Sequence, residues 1–352
     1  MTLTEISYYS RKALPFIIIF FLVLFILFYG VKLLLITINK PIEDKAQLHT
    51  IFNKIDRLNV SDSTPSANLN FVLDTIEGEP VTSTKSAEVF FLPASVSKFG
   101  YRQRIYLMAK ALGFNTETVT HKLDGKIATF SNNYEELSID ITNFNFNYEY
   151  KYSKAPKSET SLFLDTYIPS NNEIISKAVE LLKSVNRYPE ELSQGGTNII
   201  YHKFNFVDNK LKTVKDPKEA NVVEVDFYRP DINGLPVISP KYFTSRNYVI
   251  MVFYEKDYRI LKAEINFFEK SNDQIGIYPV KTGNQAYEDL KSGKGSIVSG
   301  LKEEKDIILK KMFMGYYDPG IYQQYMQPIY VFLGDDDFVV YVSAIEDSWY
   351  NN

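Results

Sequence analysis

The chain has 352 residues, a formal net charge of −4, 45% hydrophobic residues and no cysteine. The missing cysteine excludes disulfides, thiolate metal sites and cysteine nucleophiles together, and the mildly acidic balance leaves no electrostatic case for nucleic acid. Tyrosine (26) and phenylalanine (25) are abundant, enough for one or two cores of ordinary size.

Residues 1–12 form a short polar tail. Ala13 to Ile38 reads ALPFIIIFFLVLFILFYGVKLLLITI, with no charge from Phe16 to Val31. That length at 1.5 Å per residue approaches bilayer thickness, so the stretch predicts a single N-terminal transmembrane helix. No small-residue cleavage triplet follows it, which points to an uncleaved signal anchor. Flanking charges (Arg11 and Lys12 before; Lys32, Lys40 and Lys45 after) do not decide orientation. A large domain translocates largely regardless of its charge, which favours a cytoplasmic N-terminus and an extracytoplasmic soluble part. Residues 39–68 are expected to be a juxtamembrane stalk and linker. Leu48, Ile51, Phe52, Ile55 and Leu58 recur there at helical spacing, and residues 60–68 read as flexible.

The remainder predicts an α+β fold, in two helix-plus-antiparallel-sheet units over 69–156 and 157–352. The first helix spans about Gly100 to Leu112 and stops at Gly113. Strands follow at 126–130, 137–141 and 143–150, and residues 154–159 suggest a hinge. The second helix opens on Ser170-Asn-Asn-Glu173, a capping-box spacing, and ends before Pro189. Strands are predicted at 198–206, 222–228, 248–254 and 261–268, a third helix from Thr282, and a closing hairpin of 327–332 with 338–344.

Ile277-Tyr-Pro-Val, then Ala286-Tyr-Glu-Asp-Leu-Lys-Ser-Gly293, and the closing Pro328-Ile-Tyr-Val-Phe with Phe338-Val-Val-Tyr-Val resemble the exported halves of bacterial YycH/YycI-type regulators and PepSY-like modules. The pattern covers about 157 to 345. The resemblance implies a non-enzymatic regulator that contacts a membrane or envelope protein, and it transfers no functional residue.

A second reading comes from three short motifs. Pro93-Ala-Ser-Val-Ser-Lys98 contains S-x-x-K, Ser131-Asn-Asn133 is S-x-N, and Lys281-Thr-Gly283 is K-T-G. In this order they are the motifs of penicillin-binding proteins and serine β-lactamases. That chemistry needs Ser95 as nucleophile, Lys98 one helical turn on as base, Ser131 and Asn133 beside them, and Lys281 on an edge strand to hold a substrate carboxylate. Against it, a capped helix is expected directly after Lys281, and the Ser95–Ser131 gap is short. The preferred expectation is therefore a membrane-anchored extracytoplasmic binding and regulatory protein of the cell envelope that acts through protein–protein contacts, with no cofactor.

Other candidates have ordinary explanations. His49, His121 and His202 share no ligand spacing, and Asp335-Asp-Asp337 suits a hairpin tip better than calcium. Asp140 and Asp226 occupy similar strand patterns and read as outward-facing positions. Asn59-Val-Ser61 is a glycosylation sequon. Met314 to Tyr325 is unusually rich in tyrosine, and Tyr316, Tyr317, Tyr322 and Tyr325 are the candidate partner surface.

Overall fold

The structure is a computed structural model that describes residues 19–32, 48–67, 69–76, 78–82, 84–96, 99–154, 161–208, 210–255, 257–300 and 306–351. It divides into a unit of residues 1–47 and a unit of 48–352. In the first, residues 19–32 are α-helical (α1), and the large apolar side chains from Ile19 to Val31 are at least half exposed. Among the described residues no helix is long and apolar enough to cross a membrane. The rest of the expected 13–38 span lies outside the described residues.

The second unit begins with β1 (Thr64–Pro65), β2 (Asn70–Leu73), β3 (Ser86–Phe91) and helix α2 (Tyr101–Ala111), then a meander of β4 (Lys122–Asp124), β5 (Ile127–Ser131), β6 (Glu135–Asp140) and β7 (Phe146–Tyr150). Helices α3 (Asn171–Ser184) and α4 (Glu190–Gln194) lead to β8 (Thr197–Asn205), β9 (Lys210–Val214), β10 (Val222–Phe227), β11 (Val237–Ile238), β12 (Asn247–Tyr254) and β13 (Asp257–Ile265). The last third carries β14 (Ile275–Pro279), α5 (Gly283–Asp289), β15 (Ser296–Ser299), β16 (Asp306–Tyr317), β17 (Tyr325–Met326), β18 (Pro328–Gly334) and β19 (Val339–Ser343). The fold is α+β.

The local signals act as their chemistry requires. The Ser170 hydroxyl accepts from the Glu173 N–H and starts α3, whose Ile174, Ala178, Leu181 and Leu182 are buried. Gly113 turns the chain after α2 at a φ of 90°. Both helices contribute to one core with the inward residues of a nine-stranded antiparallel sheet, ordered β4-β5-β6-β7-β13-β12-β10-β8-β9. Central β12 is buried almost throughout, as a strand covered on both faces must be.

A seven-stranded sheet, β1-β15-β19-β18-β16-β11 with β2 alongside β16, and a three-stranded one, β14-β3-β17, carry further cores. Two domain expectations need correction. The boundary at 156 runs through the nine-stranded sheet, because β7 pairs with β13 (Lys262 opposite Glu149). Strands β2 and β3 meanwhile belong with the last third of the chain.

Residues 48–60 are not a stalk helix. His49 bridges Ile277, Ile55 bridges Tyr350, and Asn53 sits at a φ of 55°. The apolar residues at helical spacing bury instead as irregular chain, Phe52 against Tyr325 and fully buried Ile55 among the second core. The expected linker is also tied down. Ser66 is buried, its hydroxyl accepting from the Gly295 N–H and donating to the Leu290 carbonyl.

Candidate binding site

The motif residues of the acyl-enzyme reading do not converge. Ser95 is exposed in irregular chain after β3, and α2 begins only at Tyr101, so Ser95 does not open a helix. Lys98 lies outside the described residues. Ser131 ends β5 and Asn133 lies in the β5–β6 turn, both exposed; that turn is built by Asn132, whose side chain accepts from the N–H groups of Tyr134 and Glu135. Ser86 pairs with Pro279 at one end of β3, and Lys281 follows just beyond. Ser95 follows the other end, about 20 Å of strand away at about 3.3 Å per residue.

Lys281-Thr-Gly283 serves the fold. Thr282 caps α5 through a full capping box with Gln285, and the Gly283 N–H donates to Thr82. Lys281 is buried, and its Nζ lies 2.7 Å from Asp289 and 2.8 Å from Asp347. Lys294 holds the other oxygens of both carboxylates. The hydrogen bonds from Lys281, then those from Lys294, pull the Asp347 carboxyl down to about 2 despite partial burial. The cleft of about 560 Å³ beside this network is therefore walled largely by charges already satisfied by one another.

Three of the four tyrosines proposed as surface are interior. Tyr316 and Tyr317 end β16 at 1% exposure, Tyr316 edge-on to Phe90 and Tyr317 accepting from the Ser61 N–H. Tyr325 is 8% exposed and packs on Phe52. The strand alternates, so the apolar faces of Met312, Met314 and Tyr316 all enter the core. Tyr322 alone keeps a large exposed area, 37%, beside Ile321 at 58%.

Tyr322 stands between two clefts, and Ile321 lines one of them. The first, about 520 Å³, is lined by Asp56, Asn59, Phe91, Tyr322, Gln324 and Tyr325 among others. The second, about 400 Å³, lies against the outer face of the nine-stranded sheet, with Asn143, Asn147, Asp140, Glu264, Ile321 and Tyr322 in its walls. Tyr322 borders both. Its hydroxyl donates to the Leu92 carbonyl at 2.9 Å and its ring meets Phe268 edge-on, so the wall is braced from below.

Amides brace it from the sides. Gln323 donates to the Asn59 carbonyl and accepts from the Asn59 N–H, while Asn266 donates to the Gly320 carbonyl. A Cβ on Gly320 would meet the Ser61 hydroxyl at 2.8 Å and the Pro240 ring at 3.0 Å, so the loop packs closely at this point. Arg229, buried after β10, ties the base of this loop by bonding Asp318, Glu191 and the Phe268 carbonyl.

One buried group on the same sheet face is unusual. Asp226 is fully buried and next to Glu224 on β10. Its Oδ2 accepts from the Ser245 N–H and the Tyr228 hydroxyl, each at 3.0 Å, and its Oδ1 has no hydrogen-bond partner among the described residues. Glu224 in turn lies 2.8 Å from His202 Nε2. Burial first, then the neighbouring Glu224 charge, pushes the Asp226 carboxyl up to about 7. The expected outward-facing Asp226 is thus an interior acid. Asp140, four strands away in sheet order, pairs with Lys126 and Thr142 rather than with Asp226.

Of the four tyrosines only Tyr322 stays exposed, and the clefts were missed because their walls come from segments around 56–59, 91–94, 140–147 and 320–327. No protein-family model matches the sequence, and no curated protein matches it. Among solved structures, an uncharacterized protein from Eubacterium rectale ATCC 33656 matches over 82% of this chain and 92% of that one. The identity is 14% and the TM-score 0.35, a likeness that carries no functional inference.

Proposed function

We propose that this chain is a membrane-anchored binding and regulatory protein of the cell envelope, working by contact rather than catalysis, with its soluble part on the extracytoplasmic side. The observation that carries the reading is the braced wall of Ile321 and Tyr322. It places exposed apolar area on a braced segment at the border of two clefts. The commitment of Lys281 to two carboxylates, and the distance of Ser95 from it along β3, weigh against the acyl-enzyme alternative. The resemblance to YycH/YycI-type modules implies the same kind of role.

The anchor rests on the uninterrupted apolar run from Phe16 to Val31 and on α1, apolar on every face, which calls for an apolar surround. Expression of the full chain, alkaline extraction of membranes and protease treatment of spheroplasts test this part. Retention in the pellet with digestion from outside is expected; release by alkali, or protection from protease, refutes it. For the site, benzoylphenylalanine at Ile321 should crosslink an envelope component, and the same probe at exposed Val207 should not. Equal crosslinking at both positions, or none at Ile321, removes the wall as the contact site.

A further inference from the structure

We infer that the partner at this wall is an uncharged saccharide chain, lying across Tyr322 with sugar units in the clefts on either side. This rests on the reading of the wall as the contact site and names what binds there.

Charge comes first. In the second cleft the ionised groups are paired: Lys126 lies 2.9 Å from Asp140 and Arg246 3.0 Å from Glu264. In the first, the opposite charges of Asp56 and Arg57 stand side by side; Asp56 accepts from the Asn351 amide and Arg57 lies 3.7 Å from Asp347 and over the face of Tyr350, so neither sign dominates. A charged ligand would have to break these pairs, and a neutral one would not.

What the clefts do present are carboxamides. Gln324 and Asn59 are exposed on one side, Asn147 on the other, with Asn143 nearby. Each carboxamide offers two N–H donors and a carbonyl acceptor, the complement of a hydroxyl that donates and accepts at once. Gln323 and Asn266 spend their amides holding the loop, so Gln324 is carried on a braced segment, and Asn147 stands on strand β7.

Shape agrees. Both volumes fall in the range of about 300–1,000 Å³ typical of small-molecule clefts. The Tyr322 ring, held by its hydroxyl, offers an apolar face against which the C–H face of a pyranose packs. A protein partner needs about 800 Å² of complementary surface per side with an apolar centre. Two exposed side chains between amide-lined hollows supply that poorly.

The experiment uses the full chain in detergent micelles or nanodiscs. Cellotetraose, maltotetraose and chitotetraose are titrated by calorimetry and by saturation-transfer NMR, with heparin as the charged comparison. At least one neutral tetrasaccharide should bind with a dissociation constant below about 1 mM. Tyr322→Ala should weaken it tenfold or more, and Gln324→Ala and Asn147→Ala severalfold each, with heparin not binding. Gln324 and Asn147 are exposed, so their variants keep the result interpretable if Tyr322→Ala loosens the loop.

Binding unchanged by all three substitutions, or no binding by any neutral oligosaccharide, overturns the proposal. If saccharides fail while benzoylphenylalanine at Ile321 crosslinks one discrete envelope protein, the saccharide falls and the wall stands as a protein-contact site. If both fail, the wall falls as well.

Discussion

Asp226→Asn should stabilise the protein at alkaline pH and flatten its pH dependence. The carboxyl is raised from 3.8 to about 7, so the folded state holds this proton more tightly than the unfolded chain does. Its contribution is full below about pH 4 and is lost as pH rises to about 7. Some three units at about 1.36 kcal/mol each give an upper bound of about 4 kcal/mol. Asparagine is nearly isosteric, keeps an oxygen for the Ser245 N–H and presents an NH₂ to Glu224, so it imitates the protonated acid at every pH. Other titratable groups facing the site, Glu224, His202, Tyr228, Tyr248, Glu264 and Arg246, are unchanged in the variant. Urea unfolding of the full chain in mild detergent, followed by the single tryptophan, Trp349, at pH 5, 6, 7 and 8 measures the difference. The native protein should lose stability across this range relative to the variant, with the gap widest at pH 8. Parallel curves would refute the protonated interior acid, as would a variant less stable at pH 8.

Lys281→Ala should cost about 3 kcal/mol, the low end for breaking a buried ion pair, because Asp347 is partly in solvent. The same corner should loosen in acid: the lowered Asp347 carboxyl adds stability above about pH 4 that is lost as pH falls through about 2, read by Trp349 fluorescence. Gly195→Ala should cost about 4 kcal/mol or more in thermal unfolding, since a Cβ would fall 1.7 Å from the Tyr228 carbonyl oxygen. Gly196→Ala, with open space around it, is the control and should change little. A fluorescent penicillin should label neither the native protein nor Ser95→Ala; a label lost in the variant would establish the acyl-enzyme and remove the contact reading.

Elements with local causes were legible in the sequence. Helix α3 follows from the Ser170 cap and its apolar stripe, and α5 from Thr282 and Gln285; both start where the caps place them, while both end about four residues before the expected stops. Strands β10 and β12 followed from their apolar runs. What failed depended on partners far along the chain. Leu48 to Leu58 has helical spacing, yet Ile55 pairs with Tyr350, and nothing in a short window announces that contact. The tyrosines of β16 were misread because a hydroxyl suits a surface equally well; alternation of Met312, Met314 and Tyr316 was the available signal. The carboxamide clefts were invisible for the same reason, their linings running from Asp56 to Gln327 in one and from Lys126 to Tyr322 in the other. Asp226 looked like any outward strand residue until the groups that cover it were known.

The pairing of β3 with β17 has a consequence for how the protein is made. Strand β3 leaves the ribosome more than two hundred residues before its partner β17 does. At synthesis rates of about 5–20 residues per second that is a wait of roughly 10–50 s. For most of that interval β3 has neither β14 nor β17 beside it, and β7 shows an open edge until β13 arrives. A nascent chain with such edges risks pairing with its neighbours rather than with itself. The order of strands therefore favours assembly deferred until the last hairpin has emerged. It also means that losing the strands from β16 onward would leave β2 without its partner and β3 with only β14 beside it.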